Sequence, residues 1–425
     1  MRRTALHYLK GLSFLLSYMC AHHPERLAEL PAIITHWLQD MSSVPIYFDS
    51  ELRNLWENAL IKYSILESGN DILRDNFHGL TGTGVTISFD SVPFPPRRKT
   101  RFTFVDLFAG IGGFRIALQN LGGKCVFACD SDKKAKETYF RNFGVIPFGD
   151  VRQFTSGRIS DQTLATLIPD HDILAAGFPC QPFSLAGVSA RNHLGQPSGL
   201  RCEEQGNLFY DIVRIARVKQ PKVLFLENVK NIISHDNGKT FSEIRRFVER
   251  ELDYDFKYEV IDSSLLVPQH RERCYFVCFR HKDNRFTFPR LRGTPMQLGS
   301  ILEDEVSNTY TISDTLWVGH RERTKRNIQR GTGFTVTLAD LSKPSATLVS
   351  RYGKDGKECL IPQDGKNPRK LTPRECARLQ GFPDNFLLPD SDTAAYKLFG
   401  NSVPVPVIEV VSRRIIKELL TQRSK

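Results

Sequence analysis

The stretch Phe102-Thr103-Phe104-Val105-Asp106-Leu107-Phe108 runs directly into Ala109-Gly110-Ile111-Gly112-Gly113, after which Phe114, Ala117, Leu118 and Leu121 recur at helical spacing. A strand, a glycine turn and an amphipathic helix in that order predict the first unit of a nucleotide-binding α/β sheet. The glycines let the backbone come close to a ligand at the helix N-terminus. A second strand, Lys124-Cys125-Val126-Phe127-Ala128-Cys129, ends at Asp130. That acid falls about 20 residues past the turn, the place from which such sheets grip a ribose hydroxyl. The glycines alone would suit a nicotinamide cofactor equally well. However, Gly110-x-Gly112-Gly113 lacks the full Gly-x-Gly-x-x-Gly spacing that a pyrophosphate favours. Phe108 offers an aromatic face for adenine, and Asp150, closing Ile146-Pro147-Phe148-Gly149-Asp150, is expected to meet the adenine amino group. An adenosyl ligand without phosphates fits better, with strand-end capping as the plain alternative for the two acids.

Asp172-Ile173-Leu174-Ala175-Ala176 predicts a short buried strand that Gly177 and Pro179 terminate. The loop Gly177-Phe178-Pro179-Cys180-Gln181-Pro182-Phe183-Ser184 then presents Cys180 at the strand's carboxyl end, on a backbone stiffened by two prolines. Most free cysteines are buried and inert, but this placement suits a nucleophile. Lys222-Val223-Leu224-Phe225-Leu226-Glu227-Asn228-Val229 is another strand, ending in a carboxylate and an amide. A further strand, Cys274 to Phe279, follows Gln269-His270-Arg271-Glu272-Arg273. Singly, a strand-end Glu is solvated and an Arg pair makes surface ion pairs. Cys180, Glu227 and Arg273 in order, each at a strand edge, stand where an α/β sheet assembles its site.

Those residues together carry a resemblance. Asp106-Leu107-Phe108-Ala109-Gly110-Ile111-Gly112-Gly113-Phe114, the Cys180 loop, Glu227-Asn228-Val229-Lys230-Asn231 and Gln269 to Arg273 resemble the ordered motifs of the DNA cytosine-5 methyltransferases. Arg369 to Pro383 is similar to the family's ninth block, and Lys397-Leu398-Phe399-Gly400-Asn401-Ser402-Val403 to its last. The likeness spans about residues 101 to 425, and the small target region resembles that of compact bacterial modification enzymes. It implies S-adenosylmethionine as cofactor and double-stranded DNA as substrate. It also implies a flipped-out cytosine attacked at C6 by Cys180, with Glu227 at N3 and the exocyclic amine. Arg273, with Arg271 nearby, would hold the base carbonyl and keep Cys180 ionised. For that chemistry Glu227 needs a proton near neutral pH, so a pKa raised by burial is expected. Pro179, Leu208 (with Asn207) and Asn401 would line the cofactor pocket beside Phe108, Gly110, Gly112, Gly113, Asp130 and Asp150. The glycine- and proline-bearing segment Ser184 to Gly206 reads as a lid that closes on DNA.

Length and charge agree with a nucleic-acid partner. The chain of 425 residues suggests two or three units, and its net charge of +11 favours a polyanion. From His281 to Lys370, sixteen Lys/Arg face ten Asp/Glu, so more than half of the excess lies in one fifth of the chain. This marks a phosphate-facing recognition segment. Within it Arg321 to Phe334 mixes cations and amides with glycines, and Thr335 to Leu338 and Ala346 to Tyr352 read as strands. Arg351 to Glu358 is similar to the recognition region of enzymes that modify the inner cytosine of CC…GG sites.

The expected architecture is an S-adenosylmethionine-dependent, Rossmann-like α/β fold with a mostly parallel sheet. Residues 1–96 would be a helical extension, 97–280 the catalytic and cofactor domain, 281–384 an inserted target-recognition domain and 385–425 the return. In the extension, Tyr8, Leu9, Leu12, Leu15 and Leu16, then Leu27, Leu30, Ile33, Ile34 and Leu38, repeat near helical spacing, and Val92 to Lys99 reads as a proline-stiffened linker. The apolar run Leu12 to Cys20 is short, broken by serines and followed by no cleavage site, and no run reaches membrane-spanning length. Nine cysteines without paired metal spacing argue for a reducing compartment, and eleven histidines form no ligand cluster. Cys125 with Cys129, and Cys274 with Cys278, would share strand faces in the core. The expectation is a cytoplasmic, metal-free monomer, with a companion restriction endonuclease as a separate partner. Two other readings stand beside it. One is a tRNA methyltransferase of the same family, against which the Phe178-Pro179-Cys180 motif and the absence of Cys-Phe-Thr both speak. The other is a catalytically silent DNA-binding regulator.

Overall fold

The protein is described by a computed structural model covering residues 32, 35, 36, 92–96, 99–179 and 208–423, apart from 332, 334 and 337. Cys180, the segment Ser184 to Gly206, Asn207 and all the residues named in the N-terminal helical repeats lie outside the described residues. Six strands form one sheet in the order β2-β1-β3-β4-β6-β5. They are β1 (Phe102–Leu107), β2 (Gly123–Cys129), β3 (Ile173–Gly177), β4 (Val223–Val229), β5 (Asp255–Asp262) and β6 (Glu272–Phe279). The first four run parallel, while β6 is antiparallel to both β4 and β5. β5 escaped the sequence reading because Lys257 and Glu259 interrupt its apolar residues, as suits a strand at a sheet edge.

Alternation along the strands divides the interior in two. Val105, Leu107, Leu174, Ala176, Leu224, Leu226 and Phe276 face one core, and Phe104, Ile173, Ala175, Val223, Phe225 and Val277 face the other. Cys274 and Cys278 share the first core, as the period of two requires. Cys125 and Cys129 do not share a face. The register slips where Phe104 pairs with Cys125 but Val105 pairs with Phe127, leaving Val126 as an extra residue in β2. That bulge turns Cys125 toward the second core and Cys129 toward the first.

The glycine turn opens helix α1 (Gly113–Asn120), with Gly112 as N-cap at φ 87°. A Cβ on Gly112 would lie 2.3 Å from the Phe143 ring, so both conformation and space demand glycine there. Asp132 caps α2 (Lys133–Phe143) by accepting from the Lys134 and Ala135 amides. Helices α3 (Leu208–Lys219) and α4 (Lys239–Arg246) cover the first core through residues such as Ile212, Ile215 and Ile244. The stretch 92–96 is fastened rather than a solvated linker. Val92 is buried in the first core, the Phe94 amide donates to the Asn142 carbonyl at 3.0 Å, and Gln119 donates to the Phe94 and Pro95 carbonyls.

The basic segment departs most from expectation. Arg321 to Arg330 belongs to a helix, α5 (Asp314–Arg330), which Ser313 caps, Asp314 begins and left-handed Gly331 ends. Ala346 to Tyr352 is not a strand. The Leu348 amide donates to Gln269 Oε1 at 2.7 Å, and its carbonyl accepts from Arg271 Nη1 at 2.9 Å. Side chains thus satisfy the groups a neighbouring strand would have paired, and Tyr352 begins a short helix. The described residues of 335–338 hold only an isolated bridge, from Leu338 to Leu360.

The chain then returns through α6 (Pro373–Leu379), α7 (Asp392–Asn401) and α8 (Val405–Arg423). Leu348, Tyr352, Leu371, Cys376, Phe399, Val411 and Ile415 all join the second core, so the return is packed into the sheet's own interior. At its tightest point a Cβ on Gly400 would fall 2.4 Å from the Ser350 nitrogen and 2.4 Å from the Val349 carbonyl carbon. Backbone cannot yield cheaply there. Gly400→Ala is expected to destabilise the fold by about 1–3 kcal/mol, read as a lowered urea midpoint; an unchanged midpoint would contradict this packing.

Candidate active site

The strand register assembles the site. Glu227 in β4 lies opposite Gly177 in β3 and Tyr275 in β6, and Val229 lies opposite Arg273. Arg273 Nε and Glu227 Oε1 are 3.1 Å apart. Glu227 is only 8% exposed. Burial raises its carboxyl pKa above the ordinary 4.5, against the downward pull of Arg273 and then Arg271. Asn228 ties this strand end to the next loop, donating through Nδ2 to the Phe178 carbonyl at 3.3 Å. Phe178 and Pro179 therefore lead the chain out of β3 beside Glu227, and the next residue is Cys180.

Arg271 is employed differently from Arg273. It is 2% exposed and donates to the carbonyls of Leu348, Gly400 and Ser402 at 2.9, 3.0 and 2.7 Å. These bonds make it a fastener between β6 and the returning chain. It also lines a cleft, together with Glu227 and Arg273.

A cleft of about 460 Å³ opens beside Glu227 and Arg273 and runs to the glycine turn. Phe108, Gly110, Gly113, Asp130, Pro179 and Asn401 line it, as the sequence predicted. Phe108 holds φ 54°, a left-handed conformation unusual for an aromatic residue and typical of functional turns. Asp130 Oδ2 accepts from the Gly110 amide at 2.8 Å and Oδ1 from the Asp132 amide at 2.7 Å. Burial raises the Asp130 pKa while these two bonds oppose the rise. Three predicted residues are not on the lining. Gly112 sits beneath Phe143, and Leu208 is buried in the first core. Asp150 accepts from Arg152 Nε at 3.0 Å on each oxygen.

Lys397, Asp132 and Ser350 line the cleft without having been predicted. Lys397 Nζ reaches Asp132 Oδ2 at 2.5 Å, joining α7 to α2 across the mouth. Its signal was present, since Lys397 heads the block that contains Asn401. Ser350 had none, because its place depends on Arg271 and Gln269 holding Leu348.

The donor set suits an adenosyl ligand. An aromatic face at Phe108, an open glycine at Gly110 where a Cβ would meet only the Phe108 carbonyl at 4.0 Å, and the acceptor Asp130 face one cleft. Each Asp130 oxygen keeps a lone pair beyond its backbone bond, enough to accept from a hydroxyl.

A family profile described as C-5 cytosine-specific DNA methylase matches residues 102–417. The chain belongs to that family. It is similar to the Type II methyltransferase M.SsoII of Shigella sonnei, 44% identical over 337 residues that cover 78% of this chain and 84% of that protein. It is also similar to a DNA-cytosine methyltransferase of Escherichia coli K12, 36% identical, covering 91% of this chain and 93% of that one. That alignment leaves too little uncovered to exclude all of the segment before residue 92. Among solved structures, a methyltransferase of Entamoeba histolytica matches with a TM-score of 0.56 at 20% identity, over 77% of this chain and all of its own, and shows the fold. The protein is therefore a DNA cytosine-5 methyltransferase, and its fold and family imply S-adenosylmethionine. No helix among the described residues is long and apolar enough to cross a membrane, and they contain no cluster of potential metal ligands.

The raised Glu227 pKa has a signed consequence. The folded carboxyl holds its proton more tightly than in the unfolded chain. Its contribution to stability is fully present below about pH 4.5 and is lost as pH rises through the higher folded value. Glu227→Gln removes that titration, so urea unfolding should show wild type losing stability relative to the variant as pH rises. A difference that does not vary with pH would refute the assignment.

Proposed function

We propose that this enzyme methylates C5 of cytosine within a short specific sequence of duplex DNA, through a covalent adduct between Cys180 and C6 of a flipped-out base. The observation that carries the reading is the buried Glu227 paired with Arg273 at the mouth of the cleft, directly beside the Pro179 backbone that leads into Cys180. Cytosine C5 is a poor nucleophile until the ring is activated. Addition of the Cys180 thiolate to C6 while Glu227 donates a proton to N3 gives an enamine whose C5 is nucleophilic. S-adenosylmethionine supplies the methyl group that C5 takes up. Loss of the C5 proton then expels the thiolate and leaves 5-methylcytosine. Arg273 holds the base carbonyl and favours the thiolate. Phe108 stacks on the adenine of the cofactor, Asp130 accepts from its ribose, and Asn401 closes the pocket. Asp150, now engaged by Arg152, would reach the adenine amino group only on leaving that pair.

Extrusion of the base costs a few kcal/mol, which contacts to the duplex must offset. Helix α5 supports such contacts, since Arg321, Arg323, Lys325, Arg326 and Arg330 are all exposed on it. Residues 281–384 are accordingly read as the target-recognition region, 1–96 as an extension, and the enzyme as a monomer. The Type II names of its relatives support a role as the modification half of a restriction–modification system or as a solitary methylase.

Cys180→Ser is expected to lower methyl transfer from labelled S-adenosylmethionine to duplex DNA by at least about a thousandfold while DNA binding, read by mobility shift, is retained. Full activity of that variant on DNA would overturn the mechanism, and wild-type transfer to RNA alone would overturn the substrate.

A further inference from the structure

Strand β2 lies at the edge of the sheet, and among the described residues no strand flanks its outer side, where Phe148 meets Cys129 only as an isolated bridge. Part of that side is closed by a residue from the far N-terminal segment. The Ala128 amide donates to His36 Nε2 at 3.1 Å, and His36 Nδ1 lies 2.8 Å from the Ala32 carbonyl. A carbonyl only accepts, so Nδ1 carries the ring proton and Nε2 is the acceptor. The ring is 8% exposed, stacks on Phe148 at 4.5 Å between centroids and lies 6.1 Å from Phe127. Burial pushes its pKa down to about 3, which keeps the imidazole neutral and its acceptor available. Thr35, fully buried, accepts from the Ile146 amide at 3.0 Å, and Ala32 is buried in the first core. Three helical residues, at i, i+3 and i+4, thus meet both β2 and the strip 146–148 beside it.

What lies beyond that contact gives it meaning. The Phe148 amide donates to the Ala128 carbonyl at 2.8 Å, and the Asp130 amide donates to the Phe148 carbonyl at 2.9 Å. Asp130 in turn accepts from the Gly110 amide at 2.8 Å. A continuous run of hydrogen bonds therefore leads from His36 through Ala128, Phe148 and Asp130 to the glycine turn. The β2 bulge at Val126 lies immediately before this run, where a ladder is least able to hold its own register.

We propose that His36, with Thr35, is a positioning residue for the cofactor side of the active site, docking the N-terminal segment onto the edge of β2 so that Asp130 and the glycine turn are held in place for the adenosyl group. The proposal rests on the reading of the cleft as the S-adenosylmethionine site. It gives residues 32, 35 and 36 a task within the enzyme that motif matching cannot assign, because His36 is not on the lining of the cleft.

The test uses the full chain and three variants. His36→Phe keeps a ring against Phe148 and leaves the Ala128 amide unpaired. His36→Gln supplies a carbonyl oxygen to the same amide. Thr35→Val removes the acceptor of the Ile146 amide at nearly constant shape. Amide hydrogen exchange of the ligand-free proteins and calorimetric binding of S-adenosylmethionine are measured together. In His36→Phe, exchange should quicken by about tenfold at 126–130 and 145–150, with a similar loss of cofactor affinity and unchanged DNA affinity. His36→Gln should restore most of both, and Thr35→Val should reproduce the exchange change at 145–150. Unchanged exchange and affinity in His36→Phe would overturn the proposal. So would loosening throughout the chain in His36→Phe with Thr35→Val silent, since that marks a general folding role. If wild type fails to bind S-adenosylmethionine while the local exchange changes appear, the cofactor reading fails and the docking contact stands.

Discussion

Glu227 and Arg273 meet at 3.1 Å where β4 and β6 run antiparallel, and the rest of the architecture serves to keep that meeting dry and fixed. A carboxyl at the end of an exposed strand would be ionised and solvated, of little use as a proton donor near neutrality. Burial makes it hold its proton more tightly, and the guanidinium of Arg273, then that of Arg271, limits how far that goes. Removing one partner from such a pair leaves an uncompensated group in a poorly solvated place, which is why buried pairs tolerate truncation badly. The parallel β3–β4 ladder, with Gly177 opposite Glu227, then brings the Phe178-Pro179 backbone alongside. Asn228 locks that backbone down.

The second requirement is closure. Three carbonyls from two distant stretches, Leu348 and then Gly400 and Ser402, converge on Arg271, and Gly400 is packed directly onto the Val349–Ser350 backbone. The returning chain is thereby pinned against the mouth of the cleft, where Asn401 and Lys397 complete its wall. Two arginines two residues apart, Arg271 just before β6 and Arg273 within it, divide the work: Arg273 pairs with Glu227 and Arg271 holds the wall. A substitution at either would lower activity, by different routes.

The parallel core and the residues on it were legible in the sequence because its strands are largely apolar, and two of them run into a polar residue, at Leu226-Glu227 and Cys129-Asp130. The glycine turn was legible because only glycine fits at Gly112. Other features were not, for identifiable reasons. β5 alternates charged with apolar residues and so resembled a surface stretch. The basic segment looked like flexible turns because its cations draw attention away from Ser313, Asp314 and Gly331, which are ordinary helix start and stop signals. Ala346 to Tyr352 has strand composition but spends its backbone bonds on Gln269 and Arg271, which no local pattern reveals. The Val126 bulge separated Cys125 from Cys129, and one extra residue is invisible to a period-two reading. His36 fell outside the apolar stripe at Leu27, Leu30 and Ile34, since the face that docks is small and polar.

The account stands on Cys180 acting as the nucleophile that Glu227 and Arg273 support. It is tested most directly by incubating the enzyme with S-adenosylmethionine and duplex DNA in which the target cytosine carries fluorine at C5. Fluorine blocks the final elimination, so a denaturation-resistant protein–DNA complex should form, and peptide mass spectrometry should place the nucleotide on Cys180. Absence of a complex with active enzyme, or attachment to any other residue, would contradict it.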